Sequence, residues 1–148
     1  MAITTNAIAN SFKKEILQAT HNFNTAPTGG QKFKLAMYTT NATIGASTTS
    51  FTTGGQVTSP AGYSSGGKLL VNNGVIMSSA VAAVDFADLS FTNVTLTARG
   101  ALIYNTSATN KAVCVLDFGG NKTATAGTFT IQFPAFTTSA AIIRIGNA

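Results

Sequence analysis

A chain of 148 residues and 15.1 kDa has the length of one domain and enough surface to bury that a core needs no metal or disulfide staple. It is 45% hydrophobic and only 9% charged, the reverse of a disordered chain and too poor in Glu, Lys and Arg for long exposed helices. The net charge of +5 is spread thinly, Lys13, Lys14, Lys32 and Lys34 against Glu15, then Lys68, Arg99, Lys111, Lys122 and Arg144 against Asp85, Asp88 and Asp117; with no basic run and only two arginines, nucleic acid is not the expected partner.

Asn6 is placed to cap a helix running to about Thr20, with Ile8, Phe12, Ile16 and Ala19 on one stripe; Ser11 is a rival start. His21-Asn22-Phe23-Asn24, then Pro27, Gly29 and Gly30, stop it. A lone helix of this length is marginal in water, so its stripe is expected to pack on its own sheet or on another subunit. Residues 1–24 therefore read as a helical arm and residues 25–148 as a single β domain. Phe33, Leu35 and Met37 alternate with Lys32, Lys34, Ala36 and Tyr38, which predicts a half-buried strand with one wet face. Residues 39–67 carry sparse apolar anchors (Ile44, Phe51, Val57, Tyr63) and predict short edge strands within a long loop. No charge lies between Leu35 and Gly67.

Lys68 to Val71 and Val75 to Met77, separated by Asn72-Asn73-Gly74, have the pattern of a hairpin. Val84 to Tyr104 predicts one or two strands, Val94 to Thr97 and Ala101 to Tyr104, joined or bulged at Arg99-Gly100. Ala112 to Phe118 is nearly continuous in apolar residues and predicts a central strand. Gly119-Gly120-Asn121-Lys122 reads as a turn, extended through Gly127. Phe129, Ile131 and Phe133 form a further strand that Pro134 ends, and Ala140 to Ile145 is the last. Closely spaced strands without intervening helices predict an all-β fold, an antiparallel β-sandwich or barrel-like domain with one short N-terminal α-helix. The most apolar stretch, Leu69 to Val84, is too short and too interrupted to span a bilayer. No secretory leader is recognisable, and the chain is expected to be made and kept soluble.

Chemistry is scarce. His21 is the sole imidazole, so any triad would need it; at a helix end it suits the helix dipole instead. Cys114 is the single cysteine and sits in an apolar run, where a thiol behaves as a small buried hydrophobe. Asp85 and Asp88 could offer two carboxylates to calcium, which takes six to eight oxygens; bonding backbone N–H groups at a turn is the better reading. Glu15 and Asp117 complete the carboxylates open to a glycosidase pair, and no motif supports one. The glycine pairs follow no phosphate-loop pattern. Tyr38, Tyr63 and Tyr104 are candidates to stack sugars or bases, against packing on the core or a strand face. Four Asn-x-Ser/Thr sequons, at Asn41, Asn93, Asn105 and Asn121, are what chance gives in a chain with 12 Asn, 24 Thr and 11 Ser. No catalytic residue, metal ligand or cofactor-binding residue is assigned.

Asn10-Ser11-Phe12-Lys13-Lys14-Glu15-Ile16-Leu17 with His21-Asn22-Phe23 resembles the opening of a family of small tailed-bacteriophage virion proteins. The resemblance continues through residues 33–49, 97–105, 112–119 and 130–134, and is weakest in the first few residues and near 72–84. It implies a non-enzymatic virion component, made in the host cytoplasm and contacting the major capsid protein or other virion proteins, with copies of itself as further partners. A capsid cement or decoration protein fits a small single domain without fibre repeats. A tail, neck or fibre-attachment component, or a host-glycan-binding module using residues 39–67, is the alternative.

Overall fold

In the computed structural model, which describes residues 3–25, 27–58 and 60–147, the chain forms two open antiparallel sheets. The strands are β1 (Ala7–Ile8), β2 (Phe33–Tyr38), β3 (Lys68–Leu69), β4 (Asn72–Ser78), β5 (Val81–Phe86), β6 (Leu89–Asn105), β7 (Lys111–Ile131) and β8 (Ile143–Ile145). One helix, α1 (Asn10–Leu17), follows β1, and a single 3-10 turn (Thr106–Ala108) follows β6. The larger sheet has the order β1-β7-β6-β2-β3 and the smaller β4-β5-β8. The fold is all-β and sandwich-like, as the strand spacing predicts, and neither sheet closes into a barrel.

The β6–β7 hairpin is the frame. Its tip holds because Asn105 Oδ1 accepts from Ser107 N–H at 3.0 Å, while Thr109 and Asn110 take positive φ. Gly119 to Lys122 does not turn the chain. Gly100 pairs with Asp117 and Ala98 with Lys122, so residues 118–121 bulge out of a strand that runs on to Ile131. The bulge brings the Phe118 ring within 6.0 Å of Phe129. An aromatic chain joins the two sheets. Phe23 stacks on Phe33 of β2 at 4.5 Å, Phe33 meets Phe86 of β5 at 5.8 Å, and Phe86 meets Phe133 at 5.8 Å.

Three expectations are corrected at the level of elements. The helix starts at Asn10, not at Asn6 or Ser11, because Ala7 and Ile8 pair with Val115 and Cys114 of β7. Asn6 is not its cap; its side chain accepts from Asp117 N–H at 2.7 Å. Asn72-Asn73-Gly74 is not a hairpin turn, since it lies inside β4, where Gly74 at φ +91 permits a register shift. The hairpin turns instead between Ser78 and Val81, with Ser79 at φ +52. The last strand is shorter than expected, Ile143–Ile145, and pairs with Ala82 to Val84. Phe12 of α1 is buried against Phe23 and His21, so the helix packs on its own domain.

The outer face of β2 is wet only at Lys34: Ala36 and Tyr38 are buried as fully as Leu35 and Met37. The cover is the 39–67 segment, which folds back without forming a regular strand and touches β2 through an isolated Tyr38–Gln56 bridge. Thr39 N–H donates to Gly55 O, and Val57 N–H donates to Met37 O.

Candidate functional site

Three tyrosine hydroxyls pin that cover. Tyr38 donates to Thr52 O and Tyr104 to Gly66 O, each at 2.6 Å. Tyr63 Oη accepts from Met37 N–H at 2.8 Å and from Gln56 Nε2 at 3.1 Å. All three rings are buried, so none is a platform for a sugar or a base. Burial pushes all three phenols up, Tyr104 to about 12, the backbone and side-chain bonds offsetting part of the rise at Tyr38 and Tyr63. The alternative reading places a glycan-binding surface on this segment; Tyr63 within it, with Tyr38 and Tyr104, serves instead as an internal tie.

His21 and Glu15, weighed singly in the sequence, meet in one buried cluster. His21 Nε2 lies 2.8 Å from Glu15 Oε2, and Nδ1 lies 3.1 Å from Asn105 Nδ2. Asn105 is oriented from outside: its Oδ1 accepts from Ser107 N–H, and its Nδ2 donates to Gln31 Oε1 at 2.7 Å. Gln31 Oε1 also accepts from Asn22 N–H. With Asn105 Nδ2 donating to Nδ1, the network has Nε2 donate to the carboxylate. Both ring nitrogens are occupied, and neither faces a hydroxyl or thiol. Lys111 Nζ donates to Glu15 Oε1 at 2.9 Å. Burial alone would raise the Glu15 carboxyl; the bonds from His21 and Lys111 outweigh it and hold the group below the ordinary carboxylate range. The cluster ties α1 to the hairpin tip. Sequence reading missed Gln31, Asn105 and Lys111 as its partners; the one available signal was Asn105-Thr106-Ser107, a side-chain turn that also spells a sequon.

The other candidates are placed singly. Cys114 is buried and its thiol is pushed up to about 12 by burial, which leaves it inert as a nucleophile. Asp117 pairs with Arg99 and accepts from Gly119 N–H at 2.8 Å, which holds its carboxyl low. Asp88 Oδ1 accepts from Phe133 N–H at 2.8 Å. Asp85 is fully buried; Oδ1 accepts from Phe86 N–H at 2.9 Å while Oδ2 has no partner, and burial raises its carboxyl. Asp85 and Asp88 thus bond backbone donors, Asp85 from within β5 and not from a turn. Among the described residues no three His, Cys, Asp or Glu side chains gather as a metal site.

The smaller sheet offers an apolar row outward. In the smaller sheet Val75 is opposite Val84, itself opposite Ile143, and Met77 is opposite Ala82, itself opposite Ile145. These six side chains share a face, because directly opposed residues point to the same side. Val84 and Ile143 are buried, but Val75, Met77 and Ile145 are 51%, 78% and 56% exposed. Leu17 at the end of α1 is 89% exposed, and a cleft of about 300 Å³ lined by Ile16, Phe23, Val84 and Ile143 lies between helix and sheet. No charged residue occurs from Leu69 to Val84. Among the described residues no helix is long and apolar enough to cross a membrane. No protein family, curated protein or solved structure matches the chain.

Proposed function

We propose that the chain is a non-enzymatic structural protein of a tailed-bacteriophage particle, acting as a capsid cement that binds the assembled head through its smaller sheet. The reading is carried by the exposed row Val75, Met77 and Ile145 on a sheet face without charge. Charge-depleted apolar patches are what interface cores are made of. The resemblance of the α1 region and the β6 and β7 segments to small virion proteins supplies the particle.

The energetics favour repetition over a single strong contact. Fully burying a side chain of this kind gives roughly 1.5–3 kcal/mol, so the exposed fractions of the three sum to about 4 kcal/mol. Association costs about 4–15 kcal/mol in lost freedom, so one copy binds weakly alone. Lattice neighbours that hold many copies in register raise the effective concentration without new contacts.

Copy number per purified particle, measured by mass spectrometry against the major capsid protein, tests the assignment. A near-stoichiometric ratio supports cement, about a dozen copies would put the chain in the neck or tail, and none would return it to a free binding protein. The double substitution Met77→Lys with Ile145→Lys should leave the melting temperature unchanged and abolish head binding. Undiminished binding would refute this surface.

A further inference from the structure

β7 leaves one edge unpaired. It is covered at its start, where Ser50 bridges Lys111, Ala9 N–H bonds Val113 O, and β1 pairs with Cys114 and Val115. Asn6 then ends the pairing by capping Asp117 N–H, and the preceding chain turns inward to bury Ile3 against Gly100. From Lys122 to Ile131 the strand pairs with β6 on one side, and among the described residues it makes no backbone–backbone bond on the other. An unpaired run of N–H and C=O groups is a template for another strand.

Beside this edge runs a groove of about 770 Å³, open to solvent. That volume is within the ~300–1,000 Å³ of ligand sites. Ile8, Leu116, Phe118, Phe129, Phe133 and Ile142 give it an apolar lining. Leu116, Phe118, Phe133 and Ile142 pack on the core and remain partly exposed.

Charge selects the occupant. Two charged side chains line the groove, Asp117 and Lys122. Asp117 is neutralised by Arg99; Lys122 is exposed and has no carboxylate partner among the described residues. A second copy of the chain has almost nothing to offer Lys122. Its Glu15 and Asp117 are paired, Asp85 is buried, and only Asp88 is uncommitted to a cation. An edge lysine deters self-pairing while welcoming an acidic segment.

We propose that the groove takes an extended segment of another protein, added as a strand along the free edge of β7, apolar at alternate positions and bearing one carboxylate against Lys122. The site is independent of any place in a particle.

The test uses the full ¹⁵N-labelled chain titrated with the peptide acetyl-Glu-Val-Thr-Val-Thr-Val-amide, followed by amide shifts and hydrogen exchange. Shifts confined to β1, residues 116–134 and 140–142, with slowed exchange along β7, are expected. The Glu peptide should bind about threefold more tightly than its Lys counterpart, the size of one exposed ion pair. Lys122→Glu, at an exposed position, should melt as the parent does and reverse that preference. No shift up to millimolar peptide, shifts elsewhere, or an unreversed preference would overturn the proposal. So would equal binding of a peptide N-methylated at alternate residues, which marks an apolar cleft without strand addition. The same shifts on concentrating the protein alone would give the groove to a second copy and overturn it too.

Discussion

Removing a single hydroxyl distinguishes a tyrosine that ties the 39–67 cover from one that only fills space. Tyr63→Phe keeps the ring that packs 5.5 Å from Phe91 and deletes the acceptor shared by Met37 N–H and Gln56 Nε2. Met37 is fully buried in β2 at a point where β3 does not reach, since β2 and β3 pair only at Lys34 and Leu35. Its N–H has no other partner, and Gln56 is buried too. Each orphaned buried donor costs about 1–3 kcal/mol, so the pair should cost roughly 3 kcal/mol. For a domain of this size that lowers Tm by roughly 6–12 °C. Tyr104→Phe deletes one donor and leaves only the Gly66 carbonyl short, and an under-satisfied carbonyl is better tolerated than a bare N–H. It should cost about 1 kcal/mol. Urea and thermal melts of the two variants, with m-values unchanged, make the comparison. Equal losses, or a loss below 1 kcal/mol for Tyr63→Phe, would refute the view that this hydroxyl replaces a missing strand.

Glu15 titrates below its ordinary value in the folded chain, so its contribution is present above the unfolded value near 4.5 and disappears as pH falls through the folded one; Glu15→Gln should flatten that part of an acid-unfolding profile. Asp85 has the opposite sign, because a raised carboxyl penalises the folded state once pH exceeds about 4. Asp85→Asn should therefore become more favourable relative to the parent as pH rises from about 3 to about 7, as read by melts at both values. Tyr104 and Cys114 are both pushed up to about 12, so stability should fall as pH rises past about 9–10, where the unfolded chain ionises first, as alkaline melts would record. Gly67→Ala should abolish folded expression, since at φ +75 its Cβ would sit 1.8 Å from Leu35 O, whereas Gly119→Ala, at φ +74 in open space, should cost about 1–2 kcal/mol in a urea melt.

Sequence periodicity located the strands that bury one face against the opposing sheet, because alternation is the imprint of a half-buried strand. Ile131 with Phe129, and Val94 with Leu96, are of that kind, and each pair is buried in the structure. It failed where a polar partner replaces a strand. Tyr38 alternates onto the outer face of β2 and reads as wet, yet the 39–67 segment covers it through hydroxyl bonds to residues 14 to 38 positions away. It also failed where glycine serves a bulge instead of a turn. Gly74 and Gly119 both take positive φ inside strands, and local composition does not distinguish that use from a hairpin. β1 was illegible because two residues carry no period; only the β7 edge recruits them. The Glu15–His21–Asn105 cluster joins positions up to 90 residues apart, a closeness that one sequence does not encode locally.

The carboxylates explain how a weakly charged chain acquires a predominantly positive surface. Three of the four are consumed internally: Glu15 by His21 and Lys111, Asp117 by Arg99, and Asp85 by burial in β5. Lys13, Lys14, Lys32, Lys34, Lys68, Lys122 and Arg144 are left without a carboxylate partner among the described residues. The cations are therefore left to solvent, while the exposed row of the smaller sheet is uncharged. Copies of such a molecule repel one another at a distance, and an acidic surface attracts them. Salt weakens the attraction and leaves apolar contact largely intact. On the proposed docking through the smaller sheet, steering and grip would reside in different parts of the surface: the scattered cations would govern the rate of encounter, and Val75, Met77 and Ile145 how long a docked copy stays.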